Sequence, residues 1–193
     1  MLSVCLIFLY ILLSAYIAGF LVLTVIGRVF GREGCRKRKI KPDAYVMAGL
    51  AAVTVYAQIF SLFYKVGLLA NLLLVFVCLM TAVLFRQELW KTAKEQCMGI
   101  SGGRKIFYLI LFLLFAYGTS RGIIHYDTGL YHAQSIRWIE EYGVVKGLGN
   151  LHCRLAYNSS AFCLSALYSF SFLGGQSYHC AAGFFALLLA GMC

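Results

Sequence analysis

Side chains able to do chemistry are concentrated in one stretch. His125-Tyr126-Asp127-Thr128-Gly129-Leu130-Tyr131-His132 opens a segment, Arg121 to Asn158, that also holds Asn150, His152 and Arg154. Three of the four histidines lie in it. A carboxylate among imidazoles and guanidiniums suits proton removal from a hydroxyl, or the anchoring of a hydroxyl or metal ion. Arg121 and Arg154 suit a phosphate or diphosphate carried on a lipid, and snorkelling to ordinary headgroups explains each alone equally well.

Asp127 admits two compatible readings. Leu130 to Tyr142 is expected to be a short helix, so Asp127 or Thr128 stands at an N-cap position. A capped carboxylate is held rigidly, which also suits a general base. At 100° per residue, Tyr131, Ser135, Trp138, Ile139 and Tyr142 fall on one face of this helix, and Gln134, Arg137, Glu140 and Glu141 on another. An aromatic face opposite a charged one describes a helix lying in a membrane interface. His125, His132 and His152 could join Asp127 around a metal, but short His-x-Asp spacing is a common pattern.

The elements that must position this loop are apolar. Of 193 residues, 62% are hydrophobic and 12% charged, with a mean hydropathy of +0.82. Soluble domains carry about 25% charged residues, so the expected class is an all-α, polytopic transmembrane helical bundle. Six helices are expected: Met1 to Gly27, Ala44 to Tyr64, Leu68 to Phe85, Ile106 to Ile124, Leu155 to Gly174 and Tyr178 to Cys193. Residues 1–105 read as an N-terminal three-helix segment, and 106–193 as the start of a second module with a large outer loop, 121–156. The chain stops inside an apolar run and so is expected to be truncated. Eight cysteines with no CxxC pair read as small buried hydrophobes. Asn71 and Gln58, polar residues in otherwise apolar runs, are expected to make interhelical hydrogen bonds.

Charge sets the expected orientation. The net charge is +10, yet 12 of the 17 Lys and Arg lie in two short segments, Arg28 to Asp43 and Arg86 to Lys105. Such clusters mark cytoplasmic loops and meet anionic lipid, so nucleic acid is not an expected partner. Arg121 to Arg154 carries four basic residues in 34 positions. The long loop is therefore expected outside the cell, with loops 28–43 and 86–105 inside.

The wording of the loop is similar to a known one. Tyr126-Asp127-Thr128-Gly129-Leu130-Tyr131-His132, Arg137-Trp138-Ile139, Gly147-Leu148-Gly149-Asn150-Leu151-His152, Arg154-Leu155 and Asn158-Ser159-Ser160 resemble the first large outer loop of a family of bacterial multi-pass membrane proteins. That family is associated with surface-polysaccharide synthesis and is related to the GT-C glycosyltransferases. The resemblance covers roughly residues 106 to 193. It implies transfer of a sugar from a polyprenyl-phosphate-type donor to a glycan acceptor at the outer face of the bacterial inner membrane. It places Asp127 as the catalytic base. Arg121, Arg154, Tyr131, His132, Asn150, His152 and Asn158 are then expected to bind substrate or lipid phosphate.

In two respects the sequence departs from that pattern. Many GT-C loops pair two acidic residues, whereas here His125 stands two before Asp127, so a divalent metal is an open expectation that no paired acidic motif supports. Three helices precede the loop helix where the family core begins with it. This stretch alone is expected to be inactive. The alternatives are a non-enzymatic polysaccharide flippase or transport component, or a membrane assembly subunit.

Overall fold

A computed structural model describes residues 1–29, 40–121, 126–157, 159–174 and 177–192. Among them the chain is all-helical. Its helices are α1 (Leu2–Val29), α2 (Pro42–Phe63), α3 (Leu68–Leu84), α4 (Arg86–Met98), α5 (Gly102–Ser120), α6 (Ala133–Tyr142), α7 (Ser160–Tyr168) and α8 (Cys180–Met192). Leu, Ile, Val, Phe and Ala runs without interior proline propagate the long helices. Pro42 opens α2 at a position where its missing N–H costs nothing. Helices α1 and α2 are long and apolar enough to cross a membrane, and α3 with α4, bent by 92°, makes a third candidate if counted as one span.

The bundle is built on the α1–α2 pair. Ala15 and Gly19 of α1 meet Tyr45 and Gly49 of α2 so closely that a Cβ on Gly19 would run into the Tyr45 carbonyl. One on Gly49 would strike that of Ala15. Small residues four apart let two backbones approach to this distance. Farther along α1, Phe8 packs edge-on to Phe112 of α5 and Phe184 of α8, with ring centroids 5.9 and 5.7 Å away. Much of the outer surface is apolar, with Leu72, Phe76, Leu79 and Val83 of α3 and Ile106 and Leu114 of α5 exposed.

Two ends can be distinguished. At the first, Phe20 packs on Tyr45 and Phe85, and Arg28 lies over the Phe85 ring and 3.7 Å from Glu88. Gln96 of α4 accepts from Tyr16 at 2.8 Å and donates to the Ile40 carbonyl at 3.0 Å. This is the basic end, where Arg28 and Ile40, at the described edges of the first basic segment, meet helix α4 in the second. At the second, the N–H of Val66 donates to the Ile139 carbonyl and that of Val144 to the Ser61 carbonyl, at 3.0 and 2.8 Å. Helix α6 is thus fastened to the α2–α3 hairpin at the end opposite the basic one.

Several expectations are corrected. Residues 86–98 form helix α4 and not an open loop. Leu155 to Gly174 is not one crossing helix: a 3-10 turn, Cys153–Ala156, precedes α7, and α7 has nine residues. At 1.5 Å each these span about 14 Å, half of a hydrocarbon layer or less. Both ends of α7 stay near the second end of the bundle. Cys163 lies 3.7 Å from Ser61, and the Leu167 carbonyl accepts from Asn71, one turn into α3. Its residues from Cys163 to Tyr168 are all buried. Phe170 then takes a left-handed conformation, φ +54°, which stops the helix. Helix α8 starts beside the end of α5, where Gly183 meets Thr119, and runs back along it to Tyr108 beside Gly191. It therefore descends from the loop end, opposite to the direction that six alternating spans would give it.

A neutral polar network ties α7 in place. The Tyr10 hydroxyl donates to Asn71 Oδ1 at 3.0 Å, and Asn71 Nδ2 donates to the carbonyls of Leu167 and Gly67, each at 3.0 Å. Ser14 and the Tyr168 hydroxyl are 2.9 Å apart. Asn71 makes the interhelical bonds expected of it, since an amide among apolar helices needs partners.

Candidate functional site

The site forms where the loop returns over α6 and α7. Tyr126 and Asp127 are already helical, and Thr128–His132 continues as a π-helical turn into α6. Asp127 therefore lies inside the helix and makes no capping hydrogen bond to it. That corrects its N-cap expectation. Its carboxylate instead has Oδ1 3.8 Å from Nη1 of Arg154, with the two side chains 35% and 40% exposed. The 3-10 turn Cys153–Ala156 presents Arg154, whose guanidinium sits 5.5 Å above the Tyr131 ring. A planar cation on an aromatic face is held in a fixed plane, ready for an oxyanion.

Aromatic rings floor the pair. Tyr131 meets Tyr157 edge-on at 5.8 Å, and His132 lies 5.2 Å from Phe162 at the start of α7. His152 is exposed, and its Nδ1 accepts the Arg154 backbone N–H at 3.2 Å. That bond assigns Nδ1 as the unprotonated nitrogen, so Nε2 carries the proton of the neutral ring.

Of the residues singled out in the sequence, the structure brings together Asp127, Arg154, Tyr131, His132 and His152. Arg121 is turned to its own helix, donating to the Tyr117 hydroxyl at 3.3 Å and lying over that ring. Asn150 is exposed on a 3-10 turn that its backbone N–H closes on Gly147. His125 and Asn158 lie outside the described residues. Among those described, no three His, Cys, Asp or Glu side chains come close enough to hold a metal ion.

Beside the pair lies a cleft of about 270 Å³, lined by Ser135, Trp138, Val144, Leu148, Tyr157 and Phe162 among others. Tyr157 and Phe162 serve both cleft and floor. The buried Ser135 Oγ has no hydrogen-bond partner, nor does Thr128 Oγ1 in the π turn. Sequence reasoning missed Tyr157 and Phe162. Their signal is an aromatic three and eight residues after Arg154, too general to single out.

Helix α6 does not sort its faces as the wheel predicts. Ser135, Ile136 and Glu140 are buried, while Tyr142 is 61% exposed. Glu140 was placed on the charged face; instead α6 turns it inward, toward Ser169 and Ser171. Burial pushes its carboxyl above the ordinary range, the two serine hydroxyls and Arg137 pull it partly back, and Glu141 adds to the rise. Gln134, Arg137 and Glu141 remain outside, as the wheel has them. The helix ends at Gly143, φ +76°, where any Cβ would press on the carbonyls of Ser61 and Tyr64 at 2.7 and 2.9 Å.

No curated protein and no solved structure matches this chain. One family does, over residues 1–193: the chain belongs to DUF8201, a domain of unknown function.

Proposed function

We propose that this protein is a multi-pass glycosyltransferase of the bacterial inner membrane, GT-C-like, acting in cell-surface polysaccharide synthesis. It moves a sugar from a polyprenyl-phosphate-type donor to a glycan acceptor at the outer face. One observation carries the reading: Asp127 faces Arg154 at 3.8 Å across the Tyr131 ring, at the end of the bundle farthest from the basic cluster. The apolar exterior and the candidate spans support a bilayer around the bundle, and the basic end supports placing that end in the cytoplasm.

In this reading Asp127 takes the proton from an acceptor hydroxyl as its oxygen attacks the anomeric carbon. The bond from that carbon to the phosphate oxygen breaks, and the phosphate leaves with the electron pair. Arg154 meets the charge on the leaving phosphate, and Arg121 meets it if freed from Tyr117. Tyr131, Tyr157 and Phe162 offer flat apolar faces to a sugar ring. A transport reading lacks a comparable observation: the network of Tyr10, Asn71, Ser14 and Tyr168 between the long helices is neutral and internally bonded.

The test is sugar transfer by the protein in native membranes, with labelled polyprenyl-linked sugars as donors and the host glycan as readout. Asp127→Asn is expected to lower transfer by about 10²-fold or more at unchanged protein level, the scale of a lost general base. Transfer at the unsubstituted rate would reduce Asp127 to a partner of Arg154.

A further inference from the structure

The basic end carries a surface that the Asp127 site does not use. Helix α4 turns 92° away from α3 and has five charged residues in thirteen: Arg86, Glu88, Lys91, Lys94 and Glu95. That charge density keeps it out of hydrocarbon. Among the described residues it is held by Gln96 to Tyr16 and Ile40 and by Glu88 to Arg28, and none of its residues is buried.

The outward side is patterned. Arg86, Trp90, Lys94 and Met98 stand four apart, so each lies 40° round the helix from the last and together they make one stripe. All four are exposed, Trp90 by 72%. No carboxylate interrupts the stripe. Glu88 and Glu95 lie about 140° or more round from Trp90, and Glu88 is engaged by Arg28. Arg104 and Lys105 open α5 next to it, both exposed. An indole flanked by cations one turn away on each side, on a helix lying across the end of candidate spans, matches the level where hydrocarbon gives way to phosphate.

We propose that α4 is a headgroup-level helix whose Arg86–Trp90–Lys94 stripe binds anionic phospholipid. The indole sits at the hydrocarbon boundary, and the two cations take lipid phosphates. The inference rests on the membrane-spanning part of the reading above and is independent of sugar transfer. A helix so held ties the α3–α4 bend to the bilayer surface and fixes the depth of the bundle beneath the site.

The experiment uses the full chain in lipid nanodiscs. Trp138→Phe leaves Trp90 as the single tryptophan. Quenching is compared between lipids brominated near the glycerol end and near the methyl end of the acyl chain, on phosphatidylglycerol and on phosphatidylcholine. The expected result is stronger quenching by the shallow bromines and a preference for phosphatidylglycerol, roughly fivefold for each cation engaged. Raised salt should erode that preference in the otherwise native chain. Arg86→Gln with Lys94→Gln should abolish it and leave the depth unchanged. Incorporation with Trp90 unquenched, or quenched equally by both headgroups, overturns the proposal. A chain that stays in solution without discs or detergent overturns the membrane reading itself.

Discussion

At the scale of single residues, the proposed chemistry rests on a carboxylate and a guanidinium from opposite ends of one loop. Asp127 and Arg154 were legible because the chain has two aspartates in all and its long loop has four basic residues. Their pairing was not, because nothing in the spacing says that a 3-10 turn folds Arg154 back over Tyr131. The least legible residue is Glu140. On a helical wheel it belongs with Arg137 and Glu141, yet tertiary packing turns it against Ser169 and Ser171 and leaves its Oε1 without a partner. A carboxyl held above its ordinary value near 4.5 favours the folded state when protonated. Its contribution is present at acid pH and is lost as pH climbs through the raised value. Arg137, Glu141 and Tyr178 are the titratable neighbours that modulate it. Glu140→Gln is therefore expected to raise stability in detergent at neutral pH by on the order of 1 kcal/mol. The gap should close toward pH 4.5 in thermal melts. A variant less stable than the parent at neutral pH would mean that the carboxylate is satisfied by a bond made only when ionised.

At the scale of elements, hydropathy reports where helices are and not whether they cross. The runs Met1 to Gly27 and Ala44 to Tyr64 are helical as expected, and α1 and α2 are long and apolar enough to cross a membrane. Residues 155–174 are equally apolar and misled, because Cys163 to Tyr168 of α7 are buried in protein and burial demands the same composition as lipid does. What distinguishes α7 is Phe170 in a left-handed conformation and the Asn71 amide bonded to its last turn, both tertiary facts. The close approach of α1 and α2 is written in small residues four apart, Ala15 with Gly19, facing Gly49. Gly49→Ala puts a methyl into the Ala15 carbonyl, and neither backbone can yield without separating the helices. It is expected to cost about 1–3 kcal/mol, read as a lower thermal midpoint of the purified protein. The same substitution at Gly27, which has open space, should leave the midpoint unchanged. Equal effects at both positions would show that glycine flexibility and not contact sets the result.

At the scale of the whole molecule, the two ends differ in charge and in chemistry. Arg28, Glu88 and Gln96 gather at one, while Asp127, Arg154 and the cleft crown α6 and α7 at the other. This polarity was legible in the distribution of Lys and Arg. The path of the chain between the ends was not, since α7 stays at the loop end and α8 descends from it. The account depends most on the two ends facing opposite compartments with the Asp127 end outside, because lipid-linked donors and glycan acceptors would otherwise be out of reach. Two exposed cysteines report on it directly: Cys153, one residue before Arg154, and Cys97, near the end of α4. The deciding measurement treats intact cells with a membrane-impermeant thiol reagent, using single-cysteine chains that keep one or the other. The expected result is labelling of Cys153 in intact cells and of Cys97 only after the membrane is opened. Labelling of Cys97 with protection of Cys153 would put the site in the cytoplasm and contradict the proposed reaction.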